Sequence, residues 1–123
     1  MPKYGVKIKN LDKFTKALSQ YPQIARKYFA RAIENATYQL QRASKRRTPV
    51  DTGLLRDTIY ALHSPIEGKV IPAQEYAPYV HEGTYKMKAR PFLKWGMEDA
   101  DKEIQNTFER ELENTMKEIA RRT

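Results

Sequence analysis

The chain has 123 residues, 40% of them hydrophobic and 31% charged, with 23 Lys and Arg against 15 Asp and Glu. That length supports one domain with a modest core, and the composition suits long amphipathic helices rather than a disordered chain. The absence of cysteine excludes disulfides, zinc–thiolate sites and thiol nucleophiles, while the net charge of +8 fits DNA, an acidic protein neighbour or plain solubility.

No apolar run approaches the roughly 18 residues of a membrane span. Met1, Pro2, Lys3 and Tyr4 lack the apolar stretch of a signal peptide, so the chain is expected to stay in the cytosol. Charge is unevenly placed. Residues 1–50 hold 12 Lys and Arg against 2 Asp and Glu, and residues 51–123 hold 11 against 13. This asymmetry predicts a basic surface built by the first helices.

In chain order, residues 4–9 alternate, with Val6 and Ile8 between lysines, and read as a short strand. Asn10 stands where an N-cap belongs, ahead of a helix over residues 11–21 that lines up Leu11, Phe14 and Leu18. Pro22 suits the first turn of a second helix, over residues 23–47, because a proline there loses no intrahelical bond. Ala25, Phe29, Ala32, Ala36, Leu40 and Ala43 form its apolar stripe, and the alanines predict close packing. Lys27, Arg31, Tyr38, Arg42 and Lys45 lie on the other side, a basic face with an aromatic in it that could track phosphates.

The stretch TPVDTGLLR, residues 48–56, ends that helix. Pro49 disfavours helical geometry at Thr48, Asp51 and Thr52 suit a turn, and Gly53 can supply a positive φ there. Leu54 and Leu55 are expected to re-enter the core, with Arg56 close behind. Residues 58–62 and 69–71 read as two strands joined by a loop containing Pro65 and Gly68. Two strands make a poor sheet, so the segment around Val6 and Ile8, or the one after Thr84, is expected to join them.

YAPYVHEGT, residues 76–84, reads as a short helical turn or strand held on the core by Tyr76, Tyr79 and Val80, after which Gly83 lets the chain reverse. Residues 84–89 lack periodicity and form an exposed basic loop, a good place for partner contacts. A final helix over residues 91–121 carries the stripe Leu93, Met97, Ala100, Ile104, Phe108, Leu112 and Ile119. Its length overhangs a small domain. The expected fold is therefore α+β, a small mainly antiparallel β-sheet packed with a long N-terminal-half helix and a long C-terminal helix, in a single domain over residues 1–123.

Chemistry finds little support. His81 and Glu82 begin like an HExxH zinc motif, but Tyr85 stands where the second histidine belongs. The serines have no nucleophile-elbow context, and five scattered glycines form no phosphate loop. Asp51 and Glu82 could form a carboxylate pair, yet structural roles suit them better: Asp51 in its turn, Glu82 beside Arg56 or Arg90. No catalytic, cofactor or metal residue is assigned, and an enzyme is not expected.

The three segments taken together, TPVDTGLLR, then YAPYVHEGT, then ARPFL at residues 89–93, resemble the small neck and tail-completion proteins of long-tailed phages and prophages. Lys94, Trp95 and Gly96 depart from the pattern, which has a proline soon after this point. The resemblance implies a virion structural protein, a head–tail connector present in the virion and in the host cytoplasm during assembly. Copies would form a ring joining tail to head, or remain monomers in isolation, and would contact other neck and tail proteins. Asp51, Gly53, Arg56, Glu82, Gly83, Arg90 and Pro91 are the motif positions that would set its geometry. Opposite charge on separate patches suggests a subunit contact between the loop of Lys86, Met87 and Lys88 and the acidic start of the last helix, Glu98, Asp99, Asp101 and Glu103. The alternative is weak, nonspecific nucleic-acid binding through the Lys27–Lys45 face, with no membrane partner in either case.

Overall fold

Two long helices, α2 (Pro22–Arg47) and α5 (Phe92–Arg122), run antiparallel and carry the rest of the molecule. The computed structural model describes residues 5–50 and 53–123. Tyr4, Asp51 and Thr52, invoked above, lie outside the described residues. Between the long helices come α3 (Gly53–Asp57), β1 (Ile59–His63), β2 (Gly68–Pro72) and α4 (Ala77–Glu82), and α1 (Leu11–Gln20) precedes them. The fold is α+β, with both long helices and an antiparallel pair of strands as expected.

The α2–α5 pairing follows from small residues at the seam. Ala25, Ala32 and Ala43 of α2 and Ala100 of α5 are buried, so the helix backbones approach closely. At the tightest point Gly96 lies on Ser44, where an added Cβ would stand 2.7 Å from the Ser44 Cα. Phe14 from α1 packs onto the pair at Phe29 and Phe108. Its ring meets Phe29 edge-on at 5.2 Å and Phe108 at 6.4 Å, contacts each worth about 0.5–1.5 kcal/mol beyond their buried area.

Helix ends obey local chemistry. Pro22 opens α2, and Thr48 ahead of Pro49 is extended, at φ −71° and ψ 135°. The Thr48 hydroxyl donates to the Ser44 carbonyl at 2.7 Å, which satisfies one of the orphan acceptors of the last turn. Asn10 does precede α1, but in the left-handed region at φ 61° and with no side-chain cap; only its carbonyl serves the helix.

Three expectations are corrected. First, β1 and β2 pair from Ile59↔Pro72 to His63↔Gly68 and gain no further strand among the described residues. The segment around Val6 and Ile8 packs on the core outside any strand. Gln105 of α5 serves its backbone instead: the side-chain oxygen accepts from the Lys9 N–H at 2.8 Å, and the side-chain nitrogen donates to the Lys7 carbonyl at 2.7 Å. A side-chain amide thus stands in for a neighbouring strand. Second, Gly53 opens the short helix α3 and has no positive φ, so its conformational freedom is not what the turn uses. Third, only Leu55 of the leucine pair is buried; Leu54 is 60% exposed. Consecutive residues on a helix point about 100° apart, so one face cannot take both.

Candidate functional site

The three motif segments meet in one place. Leu55 from α3, Ile59 from β1, Ala77 and Val80 from α4 and Phe92 at the start of α5 form a buried apolar cluster, separate from the aromatic core between α1, α2 and α5. His81 is buried beside it, its ring edge-on to Phe92 at 5.4 Å. Its Nδ1 lies 2.8 Å from Glu82 Oε1. Arg56 Nε reaches Asp57 at 3.0 Å. The motif residues therefore act first as a frame, because each segment donates its apolar residues to one cluster.

What the frame holds is a short finger over residues 83–90. Gly83 leaves α4 at φ 81°, and its N–H donates to the Tyr79 carbonyl at 2.8 Å. A Cβ at Gly83 would stand 2.7 Å from the Ala89 nitrogen, so glycine is needed both for the backbone angle and for the space. Thr84 and Met87 exchange backbone hydrogen bonds of 2.9 and 3.2 Å across a tight turn. The returning strand is tied back where the Arg90 N–H donates to the Val80 carbonyl at 2.9 Å. The Pro91 carbonyl then accepts from the Trp95 N–H at 2.9 Å and starts α5.

At the tip Tyr85 is 94% exposed, with the Lys86 ammonium 5.4 Å over its ring, and Lys88 is exposed too. Met87 turns inward onto the cluster. Tyr79 is exposed and Tyr76 borders on exposed, which corrects the expectation that both press on the core. On α4 it is Ala77, Val80 and His81 that face inward, at three- and four-residue steps. Leu54, Tyr79 and Tyr85 are thus large side chains left exposed, and Lys86 and Lys88 of the finger are exposed as well.

The basic face of α2 is placed differently from a free stripe. Lys27 pairs with Glu118 at 3.3 Å, Arg31 with Glu111 at 3.3 Å and Arg42 with Glu103 at 3.3 Å. Residue numbers rise along α2 as they fall along α5, so these pairs form a ladder across the antiparallel seam, continued by Arg47 with Asp99 at 2.8 Å. Tyr38 belongs to another side. Its hydroxyl lies 3.5 Å from His63 Nε2, and its ring packs edge-on to that histidine. Lys45 is half-buried. Lys27, Arg31, Arg42 and Arg47 of the basic first half therefore find counter-charge within the molecule, on α5.

The same ladder occupies part of the acidic patch. Asp99 and Glu103 are paired with arginines of α2, and Asp101 accepts from Gln105 at 3.2 Å. Glu98 remains exposed at the surface.

Behind the ladder lie carboxylates that periodicity alone did not single out. Glu111 is 1% exposed and Glu118 is 6% exposed. Asn114 donates to Glu111 Oε1 at 3.0 Å, and Arg31 Nε sits 3.3 Å from Oε2 as an ion pair without hydrogen-bond alignment. The Tyr28 hydroxyl donates to Glu118 Oε1 at 2.8 Å and is the chief cause that holds the Glu118 carboxyl below its ordinary value of 4.5. Burial opposes this, and Lys27 and Arg122 assist it. Their signal in the sequence was faint: acidic residues seven apart on α5, facing Lys27 and Arg31 four apart on α2.

Among the described residues no group of three or more His, Asp or Glu side chains is placed to hold a metal ion, and no helix is long and apolar enough to cross a membrane. What the described residues offer is a short finger tied to α4 by backbone hydrogen bonds and a charge-matched helix pair. No curated protein and no solved structure matches the chain. Residues 12–83 match the family described as "Bacteriophage HK97-gp10, putative tail-component". That span runs from α1 through the first two motif segments to Gly83, more than half of the chain, and the chain belongs to this HK97-gp10-like family of bacteriophage tail components.

Proposed function

We propose that the protein is a neck component, a head–tail connector or tail-completion protein whose copies form a ring that joins tail to head. The observation that carries this reading is the finger. Its stems are tied to α4 by backbone hydrogen bonds at Gly83 and Arg90, and it presents Tyr85 almost fully to solvent between Thr84 and Lys86. An exposed aromatic braced by its stems suits contact with a protein surface, where tyrosine is enriched and orders few torsions, while the lysines beside it supply charge that orients the approach. The role is structural: shape and charge complementarity between subunits and between stacked rings, with host cytoplasm as the place of assembly and the virion as the destination.

The finger is proposed to meet the acidic start of α5 on a neighbouring copy, through Glu98 and Asp101 more than through Asp99 and Glu103, which already hold arginines. Nonspecific DNA binding is the weaker reading, because Lys27, Arg31 and Arg42 each stand against a carboxylate. Deleting the gene from an inducible prophage tests the proposal directly. Electron microscopy of the lysate should show filled heads and finished tails that are not joined. Joined particles at normal yield would overturn it.

A further inference from the structure

The tip of the β1–β2 hairpin carries an apolar side chain that nothing in its own chain covers. Ile66 is 80% exposed. It is also held in place: the Ser64 N–H donates to the Glu67 carbonyl at 2.7 Å, and Ser64 Oγ accepts from the N–H groups of Ile66 and Glu67 at 3.4 and 3.1 Å. The hairpin is seated on α2, with Gly68 against Thr37 and His63 against Tyr38. A tip this well braced presents Ile66 with little entropy left to lose on docking. Beside it Glu67 is 64% exposed, with only an exposed pairing to Lys69 at 3.7 Å.

A matching recess lies on other elements of the molecule. Ala17 and Tyr21, with Leu112, Met116 and Ile119 of α5, line a mainly apolar groove of about 260 Å³ between α1 and the end of α5. Met116 is 52% exposed there, a large apolar side chain open to solvent. Lys13 and Lys16 stand on its rim, both exposed and without an ion-pair partner among the described residues. No residue of the hairpin lines the groove.

We infer that the groove between α1 and α5 receives the hairpin tip of a second copy of this chain, Ile66 filling the recess and Glu67 facing Lys13 and Lys16. An apolar tip with an acidic flank meets an apolar recess with a basic rim, and the reversed pairings, tip to tip or groove to groove, set like charges together. Because the two patches differ, the contact is head-to-tail and its repetition yields a ring or an open filament. A hairpin tip alone buries far less than the roughly 800 Å² per partner of a stable interface, so free copies stay monomeric and the contact forms when a template gathers them. The inference rests on the self-assembly reading above and adds a second surface to it, distinct from the finger.

The chain has no cysteine, so a cross-link reports this contact without background. Purified full-length Ile66→Cys and Met116→Cys variants, mixed at high concentration under mild oxidation, should give a disulfide-linked dimer. The pair Ile66→Cys and Asn106→Cys should give at least tenfold less. A chain carrying both Ile66→Cys and Met116→Cys should give a ladder of higher species. Equal yields from the two pairs would overturn the contact. A charge exchange on exposed residues guards against misfolding. Glu67→Lys, or Lys13→Glu with Lys16→Glu, should each abolish the cross-link, and combining all three should restore it; no restoration would overturn the proposed pairing. Protection of Met116→Cys from alkylation in assembled particles, with no Ile66–Met116 disulfide, would assign the groove to another virion protein and overturn the proposal as well. The neck reading is judged separately by the gene deletion. Unjoined heads and tails without the cross-link leave that reading standing and remove the contact, and the reverse result removes the neck reading alone.

Discussion

Gly96 of α5 rests on the backbone of Ser44 of α2. A Cβ at Gly96 would lie 2.7 Å from the Ser44 Cα and 2.8 Å from its nitrogen, closer than a side-chain carbon approaches atoms it is not bonded to. Neither helix can yield without disturbing the seam that both share along most of their length. Gly96 is one of the three residues at which the chain departs from the neck-protein pattern, and its contact with Ser44 gives that departure a packing role. Gly96→Ala should destabilise the fold by about 1–3 kcal/mol, the usual cost of overpacking, although alanine is the better helix former by about 1 kcal/mol. Urea denaturation measures it. An unchanged or raised midpoint would show that the helices do not touch there.

Gly83 is constrained in a different way. Its φ of 81° strains any residue with a Cβ, and the Ala89 nitrogen would stand 2.7 Å from that atom. Gly83→Ala should cost about 1–3 kcal/mol for the backbone alone. The loss should be local, because Gly83 sits outside both long helices. Hydrogen exchange is expected to rise at Thr84, Met87 and Arg90, whose N–H groups hold the finger, before it rises in α2 or α5. Exchange that quickens uniformly would place the finger in the global folding unit.

Much of this architecture was legible before any coordinates. Both long helices announce themselves by apolar residues at three- and four-residue steps, and Pro22 and Pro49 bracket α2 within a residue. The two strands and the loop between them are signalled by Pro65 and Gly68, although Gly68 itself opens β2 and pairs with His63. What stayed hidden depended on partners distant in the chain. Nothing about Gln105 indicates that it will satisfy the backbone at Lys7 and Lys9, because the segment around Val6 and Ile8 looks the same whether a strand or a side chain pairs with it. Glu111 and Glu118 look like solvent-facing residues until α2 brings Arg31, Lys27 and Tyr28 against them. For the candidate site, the order of the three motifs was readable, whereas their convergence on one cluster around Leu55, Val80 and Phe92 was not. Tyr76 and Tyr79 were misplaced because a six-residue helix shows too little of its period to tell inside from outside.

The buried carboxylates make one of the basic residues structural. Arg31 is the cation that faces Glu111 Oε2, and Glu111 is 1% exposed. Arg31→Glu would place a second carboxylate there and should cost about 2–3 kcal/mol, below the roughly 3–5 kcal/mol of a fully buried broken pair because Arg31 itself is more than half exposed and screened by water. Glu111→Gln in the same chain should recover most of the loss. A lone Arg31→Glu variant with wild-type stability would mean that Glu111 is neutralised by other means.

Glu118 gives stability a pH dependence of known sign. Its pKa is lowered in the fold, chiefly by the Tyr28 hydroxyl, so its contribution is fully present above the ordinary carboxylate value of 4.5 and is lost as pH falls through the lower folded value. Tyr28→Phe removes the largest cause. The gap between the urea midpoints of wild type and Tyr28→Phe should hold steady from about pH 8 to pH 5 and narrow below about pH 4.5. A gap that widens in acid would reverse the assignment.

The finger offers the sharpest separation of folding from function. Lys86 and Lys88 are exposed, and neither takes part in the hydrogen bonds that tie the finger to α4 at Gly83 and Arg90. Lys86→Glu with Lys88→Glu should therefore leave stability within about 0.5 kcal/mol per site, as for surface changes in general. Arg90 is left unchanged in this variant, because it is half-buried and its N–H holds the finger to Val80. If the finger meets Glu98 and Asp101 of a neighbour, reversing both lysines turns attraction into repulsion at every contact of the ring. The defect then multiplies with the number of subunits, so a modest penalty per contact becomes a large one for closure. Joined, infectious particles should fall by at least tenfold while the purified protein keeps its wild-type melting temperature. A compensating Glu98→Lys with Asp101→Lys should return part of the yield, which a mere loss of solubility or folding would not allow. Normal yield from the doubly reversed finger would remove that surface from the assembly, and the gene deletion would then show whether any other surface of this chain takes its place.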